Sequence, residues 1–216
     1  RADPRRRGRR AGSRTTMKVT TTRVLVVAIC AGALGLLASL WLGGSPLLRT
    51  DAGQRGLQAV LDATAPEPPQ GVSPAKPGDA MPRIELPDLQ GRKQVLPDAF
   101  AGRPLLINVW ASWCGPCIEE MPELERFAAA QGTSGVQVIG LALDTPDAIT
   151  DFLKRVPVSY PILVETPGPA DASVWLGNRK GVLPYTVLVG ADGTVLKQKV
   201  GPFAHGEISG WADIAR

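Results

Sequence analysis

Two cysteines separated by two residues, Cys114 and Cys117 in Trp113-Cys114-Gly115-Pro116-Cys117, are the residues whose types and spacing most directly imply chemistry. At i and i+3 on a helix, side chains lie roughly 5–6 Å apart, inside the Cα range that a disulfide accepts. Such a pair can close and open reversibly. At a helix N-terminus Cys114 would meet the positive end of the helix dipole, which favours the thiolate, the form that attacks disulfides. Cys117, one turn further in, is placed to resolve the mixed disulfide that Cys114 would form with a substrate. Pro116 suits a first helical turn, where its missing N–H removes a donor that has no intrahelical partner. The competing chemistry for this spacing is half of a zinc site. That site needs four ligands, and the other candidates are Cys30, inside an apolar run, and His205, the sole histidine, in an expected surface turn far along the chain. Redox chemistry is the expectation, with no metal and no cofactor beyond the cysteine pair.

The elements that must position this pair can be read around it. Leu105–Trp110 is a short, nearly continuous apolar run, suited to a strand buried on both faces. Residues 116–130 then place Cys117, Met121, Leu124 and Ala128 on one helical stripe, with Gly132 as the stop. A strand is predicted over 136–143 and a helix over 146–155, capped by Asp144 or Thr145 with Pro146 in its first turn. A further short strand falls at 161–164. Strands at 185–189 and 194–200 flank Ala191-Asp192-Gly193, a hairpin signal, and a last helix is predicted near 207–214. Strands alternating with helices over residues 81–216 indicate one α/β domain.

The region before that domain has a different character. The first 23 residues carry nine Lys or Arg against Asp3 alone, so the formal net charge of +4 belongs to this segment and the rest of the chain is net acidic. A terminal charge block is not a binding face, and nucleic-acid binding is not expected. Met17-Lys18 reads as a natural start for an anchor segment. Val24–Leu42 is nineteen residues without a charge, spanning about 28 Å as a helix against a bilayer core of ~30 Å. A basic flank before it and Trp41 at its end describe a single-pass anchor in a bacterial cytoplasmic membrane, with the domain on the periplasmic side, where disulfide chemistry can be sustained. Residues 43–80, with Pro66, Pro68, Pro69, Pro74 and Pro77, read as a Pro/Gly/Ala-rich linker.

The residues reach a known family at LPDLQG (86–91) and LLINVWASWCGPCIEEMPELE (105–125), which closely resemble membrane-anchored thioredoxin-like proteins of the TlpA/ResA type. The resemblance covers nearly all of 81–216. It implies a thioredoxin fold, a central mixed sheet flanked by helices, with an added N-terminal β-hairpin. It also implies thiol-disulfide exchange outside the cytoplasm, disulfide-bearing protein substrates, and a membrane electron donor of the DsbD or CcdA kind. Pro184 looks like the family's cis-proline facing the disulfide, with the backbone of Leu183 before it pairing with substrate. Trp113, Gly115 and Pro116 belong to the same substrate-contacting surface, and Trp113 would cover the disulfide, whereas Trp110 is expected in the core. Glu120, three residues after Cys117, aligns with a glutamate that in ResA-like proteins is buried near the cysteines and assists proton transfer. Glu119, about 100° around the helix, is expected to face water. Asn108 stands where cytoplasmic thioredoxins carry an aspartate, and it cannot titrate.

The expected activity is reduction of disulfides in proteins such as apocytochrome c or oxidase-assembly factors, in line with the thioredoxin-like Gly115-Pro116 dipeptide. Two alternatives stand beside it. A disulfide oxidase or isomerase of the DsbA kind generally has a different dipeptide and an inserted helical domain, for which there is no room here. A chaperone holding Cu(I) on Cys114 and Cys117 would be expected to have a Met or His cluster nearby, and none accompanies the pair.

Overall fold

The computed structural model describes residues 46–213. In chain order these form a 3₁₀ turn at Pro46–Arg49, α1 (Asp51–Thr64), β1 (Ile84–Pro87), β2 (Lys93–Leu96), a 3₁₀ turn at Asp98–Phe100, β3 (Leu105–Trp110) and α2 (Gly115–Gln131). The remaining elements are β4 (Gln137–Leu143), α3 (Pro146–Leu153), β5 (Ile162–Glu165), α4 (Ala172–Trp175), β6 (Tyr185–Val189), β7 (Val195–Val200) and α5 (Glu207–Trp211). Five strands make a mixed sheet in the order β5-β4-β3-β6-β7. β3, β4 and β5 run parallel, β6 is antiparallel to β3, and β7 is antiparallel to β6. β1 and β2 form a separate antiparallel hairpin, Ile84 opposite Leu96. This is the arrangement expected of a thioredoxin fold with an N-terminal hairpin.

β3 is buried along its whole length because both faces of the sheet are covered. Alternate residues divide between two cores. Leu106 and Trp110 pack with Cys117, Met121, Leu124 and Phe127 of α2, while Leu105, Ile107 and Val109 pack with Leu141, Val187 and the hairpin residues Leu86 and Leu96. Gly140 in β4 permits this density: a Cβ there would meet Ile162 Cδ1 at 2.5 Å and Trp110 Nε1 at 3.1 Å. α2 stops at Gly132, whose φ of 61° is open to glycine. It carries Pro122 without ending, losing only the amide that would bond the carbonyl of Ile118. Thr145, not Asp144, caps α3 through its hydroxyl. The last helix is shorter than predicted, and α4, capped by Asp171, is an element that apolar periodicity does not indicate.

The linker expected over 43–80 requires correction. α1 occupies its middle, with Thr50 as N-cap accepting from Gly53 N at 3.0 Å. The helix docks on the edge of β7 through an Asp51–Lys197 ion pair at 3.2 Å and the Gln54 amide: Gln54 Oε1 accepts from Val200 N at 2.9 Å, and Gln54 Nε2 donates to Leu48 O at 2.5 Å and Val200 O at 3.3 Å. Gln58 Nε2 donates to Gly177 O at 3.0 Å, and Arg179 donates to the carbonyls of Asp62 and Pro66 at the helix C-terminus. Further on, Gly78 N donates to Val195 O, Val195 N to Asp79 O and Met81 N to Gly193 O, so residues 78–81 line the same edge strand. The compact unit therefore runs from Pro46, not from Met81. The basic flank, the apolar run Val24–Leu42 and Cys30 lie outside the described residues, among which no helix is long and apolar enough to cross a membrane.

Candidate active site

Cys114 is the N-cap of α2, reached by a three-residue loop from the end of β3. Its backbone leaves the strand through Cys114 N donating to Ala111 O at 3.1 Å, and Ile118 N donates to Cys114 O to close the first helical turn. Cys114 and Cys117 are joined as a disulfide with their Cα atoms 5.3 Å apart. Cys117 N donates to Cys114 Sγ at 3.3 Å, so the free end of the helix is directed at the sulfur that would carry thiolate charge in the reduced protein. Both cysteines are buried, Cys117 fully. Trp113, by contrast, is 69% exposed, and Gly115 and Pro116 are exposed beside it.

The Leu183–Pro184 peptide bond is cis. Tyr185, the next residue, pairs with Val109, so Pro184 lies at the sheet end from which the chain departs for Cys114. Leu183 is half-buried there, packed against the core that contains both cysteines. The loop before Cys114 is fixed from another side by Asp144 at the end of β4, whose Oδ2 accepts from Ser112 N at 3.3 Å and from the Ser112 hydroxyl. In the sequence Asp144 is no more than a candidate helix cap. Its link to Ser112 depends on β4 lying beside β3, which spacing alone does not reveal.

Glu120 lies on α2 one turn beyond Cys117 and is 2% exposed. Its Oε1 accepts from Asn108 Nδ2 at 2.7 Å and its Oε2 from Phe203 N at 2.9 Å. Burial pushes its pKa from the ordinary 4.5 up to about 7, against the pull of these two donors and of the Lys199 charge, with the Glu207 carboxylate adding to the rise. Asn108, untitratable, thus serves to orient the titrating group. Its second donation goes to Thr186 Oγ1 at 3.1 Å, and its Oδ1 finds no partner among the described residues. Glu119 is exposed. Trp110 is fully buried, and His205 is exposed near Glu123 and Arg126.

Several residues at the site have no sequence signal of their own. Phe203 contributes a main-chain amide from the loop after β7, which no side-chain pattern announces. Thr186 and Lys199 reach the site because they continue a cross-strand row from Asn108, legible only once strand pairing is known. A cleft of about 450 Å³ between α1 and β7, lined by Asp51, Gln54, Arg55, Lys76 and Lys197 among others, contains neither cysteine. It is not where the redox chemistry resides.

A family model described as Redoxin matches residues 76–214, from just before the hairpin through α5, leaving α1 outside. The chain is 31% identical over 124 residues to the thiol-disulfide oxidoreductase ResA of Bacillus thuringiensis subsp. konkukian, covering 56% of this chain and 68% of that protein. It is 36% identical over 125 residues to the thiol:disulfide interchange protein DsbE of Allochromatium vinosum, covering 56% of this chain and 65% of that protein. Among solved structures, a thioredoxin-related protein of Neisseria meningitidis serogroup B is similar with a TM-score of 0.54 at 35% identity, across 61% of this chain and 98% of that one.

Proposed function

Because the chain belongs to the Redoxin family and is, like its named relatives, a thiol-disulfide oxidoreductase, we propose that it reduces disulfides in proteins outside the cytoplasm while held to the membrane through Val24–Leu42. The observation that carries this reading is the Cys114–Cys117 pair closed across the first turn of α2, with a buried acid poised near neutrality one turn behind it. In the reduced protein the Cys114 thiolate attacks one sulfur of a substrate disulfide, and the other substrate sulfur leaves with the displaced electron pair and takes a proton. The Cys117 thiol then gives its proton to the Glu120 carboxylate and attacks Cys114 Sγ, expelling the second substrate sulfur. Two electrons pass to the substrate, and the chain is left as the disulfide seen here. Residues i and i+3 on one helix lie about 5–6 Å apart, a span that a small side-chain movement or one water can close for proton transfer.

Around this chemistry, Trp113, Gly115, Pro116, Leu183 and Pro184 form the surface that meets the substrate. Recharging requires a two-electron thiol donor, and a membrane protein of the DsbD or CcdA kind is the donor that fits this reading. Apocytochrome c and oxidase-assembly factors are the substrates in best accord with it. The reducing direction rests on the Gly115-Pro116 dipeptide.

The test is a Cys117→Ser chain, which should accumulate mixed disulfides on Cys114 that can be isolated and identified. A chain that captures no extracytoplasmic protein overturns the substrate assignment. The reduction potential should fall at roughly −200 to −270 mV, whereas a value near about −120 mV would assign the oxidase alternative. For topology, an alkaline-phosphatase fusion at residue 80 should be active and a fluorescent-protein fusion dark. The reverse pattern would overturn the extracytoplasmic placement.

A further inference from the structure

Lys199 is 3% exposed, an ammonium buried in β7. Taking such a group out of water costs several kcal/mol unless a partner compensates. Its partner is Glu207 in α5, with Nζ 3.0 Å from Oε1. The contact is ionic and not an aligned hydrogen bond, since that oxygen has no hydrogen-bond partner among the described residues. The other oxygen of Glu207 accepts from Ala204 N at 2.7 Å. Glu207 is half-buried, and an ion pair without an aligned hydrogen bond is weak support for stability.

Its position suggests another role. In register across the sheet, Asn108 stands opposite Thr186 and Thr186 opposite Lys199. Directly opposed residues point to the same face, so Lys199 lies on the face where Asn108 holds Glu120. Phe203 joins the two systems: its amide donates to Glu120 Oε2, and the Lys199 ammonium lies 5.2 Å from the centre of its ring. Glu207, through Ala204, fixes the loop that supplies that amide.

We propose that the pair of buried Lys199 and half-buried Glu207 is a positioning device for Glu120, which holds the loop carrying the Phe203 amide and sets, by its two opposed charges, the pH at which Cys117 can be deprotonated for exchange. This rests on the reading of Glu120 as the proton acceptor. The groups around Glu120 are few. β3 and β6 offer Asn108 and Thr186, which do not titrate. β7 offers Lys199, α5 offers Glu207, and its own helix offers Cys117. Tyr160, before β5, is held neutral as a phenol by burial. Glu119 is exposed, and Glu123 is engaged with Arg126, His205 and the amide of Gly206. Lys199 and Glu207 are therefore the charges that differ in sign and act on the same acid. The cation favours the Glu120 anion and the carboxylate opposes it.

Two readouts on the full-length chain test this: the titration of Glu120, followed by carboxyl NMR of selectively labelled oxidised protein with Glu120→Gln as the assignment control, and the pH profile of disulfide exchange. Lys199→Met should move both toward higher pH and Glu207→Gln toward lower pH, each by about one pH unit. The double variant should return near the wild-type position, as opposed charges acting on one group require. Lys199→Arg, which keeps the charge, should stay near wild type. If Lys199→Met does not fold, Glu207→Gln still decides, because its amide oxygen can accept from Ala204 N. Single variants that shift the same way, or not at all, overturn the proposal. If the titrations move in opposite directions while Glu120→Gln leaves exchange unchanged, the pair acts on Glu120 as described and it is the proton-acceptor reading that fails.

Discussion

α1 and α2 meet the same sheet by opposite means. α2 buries Cys117, Glu120, Met121, Leu124 and Phe127, a mostly apolar stripe with one acid set into it. α1, only three residues shorter, buries Gln54 alone. It is held by the Gln54 and Gln58 amides, which bond the edge of β7 and the carbonyls of Leu48 and Gly177, by the Arg179 guanidinium, which donates to the carbonyls of Asp62 and Pro66 at its C-terminal end, and by the Asp51–Lys197 ion pair to β7. Apolar burial is non-directional and grows with area, so α2 can tolerate a proline and still seat a disulfide over its first turn. Hydrogen-bonded docking is directional and specifies register: Gln54 presents an acceptor to the N–H and a donor to the C=O of Val200 as a neighbouring strand would. It also blunts a sheet edge that would otherwise expose pairing groups. One helix builds the site and the other closes the sheet.

The contrast is sharpened most by truncating α2. Leu124 is fully buried in the core shared with both cysteines. Leu124→Ala should lower stability by about 3–5 kcal/mol, the transfer loss plus the cavity left behind. Denaturant unfolding measures it. A loss below ~1 kcal/mol would mean that the stripe does not hold this helix.

Glu120, the polar exception within that stripe, should behave differently, because its effect depends on pH. A carboxyl whose folded pKa of about 7 exceeds its ordinary 4.5 keeps its proton more tightly in the fold. The penalty for ionising it is absent below about pH 4.5, grows up to about pH 7 and is full above that. Relative to wild type, Glu120→Gln should therefore gain stability as the pH rises from 4 to 8, by up to about 3 kcal/mol. The amide cannot accept from both Asn108 and Phe203, which adds a loss that does not vary with pH. The slope between the two pH values is thus the quantity to read, by urea unfolding of the oxidised protein. A flat difference would remove the raised pKa. The same variant should slow exchange by a factor near the low end of the ~10²–10⁴ typical of positioned proton transfer, with Glu119→Gln as the silent control.

The same difference in docking explains what could be read from the sequence. α2, β3 and β4 announce themselves through apolar period and run length, and the cysteine motif at their junction makes the redox chemistry legible. α1 has only a short apolar edge, Leu57 and Leu61, both half-buried. Its composition, with Gly53, Gly56 and flanking prolines, resembles a linker, and its contacts come from Gln54 and Gln58, residue types that give no periodic signal. Within the site, Glu120 and Pro184 are reached through family resemblance. Thr186 and Lys199 are not, because a cross-strand row has no trace in a linear pattern, and Glu207 is not, because it reaches Lys199 from a separate helix. Phe203 bonds Glu120 through its backbone amide, which any residue except proline would supply. Asp144 shows an intermediate case: its place after an apolar strand is visible in the sequence, but its bond to Ser112 is not.

The smallest expected effect lies at α1. Gln54 is 5% exposed, and both ends of its amide are engaged. Gln54→Ala would free the N–H and C=O of Val200 and the carbonyl of Leu48, which stand at the edge of the sheet where water can reach them once the side chain is gone. Each bond is then exchanged for one to solvent, and the loss should be nearer the net value of a hydrogen bond than the penalty for stranding a buried group: about 1–2 kcal/mol in all. Because β7 leads directly into the loop carrying Phe203, a larger consequence would be expected if α1 also set the geometry around Glu120. The helix makes no hydrogen bond to that loop among the described residues, whose amides at Phe203, Ala204 and Gly206 go to Glu120, Glu207 and Glu123. The pH profile of exchange in Gln54→Ala should therefore coincide with wild type while the urea midpoint falls. A midpoint unchanged within ~0.5 kcal/mol would show that α1 is not held by this clip, and a displaced profile would show that the two helices do not divide their tasks as the docking indicates.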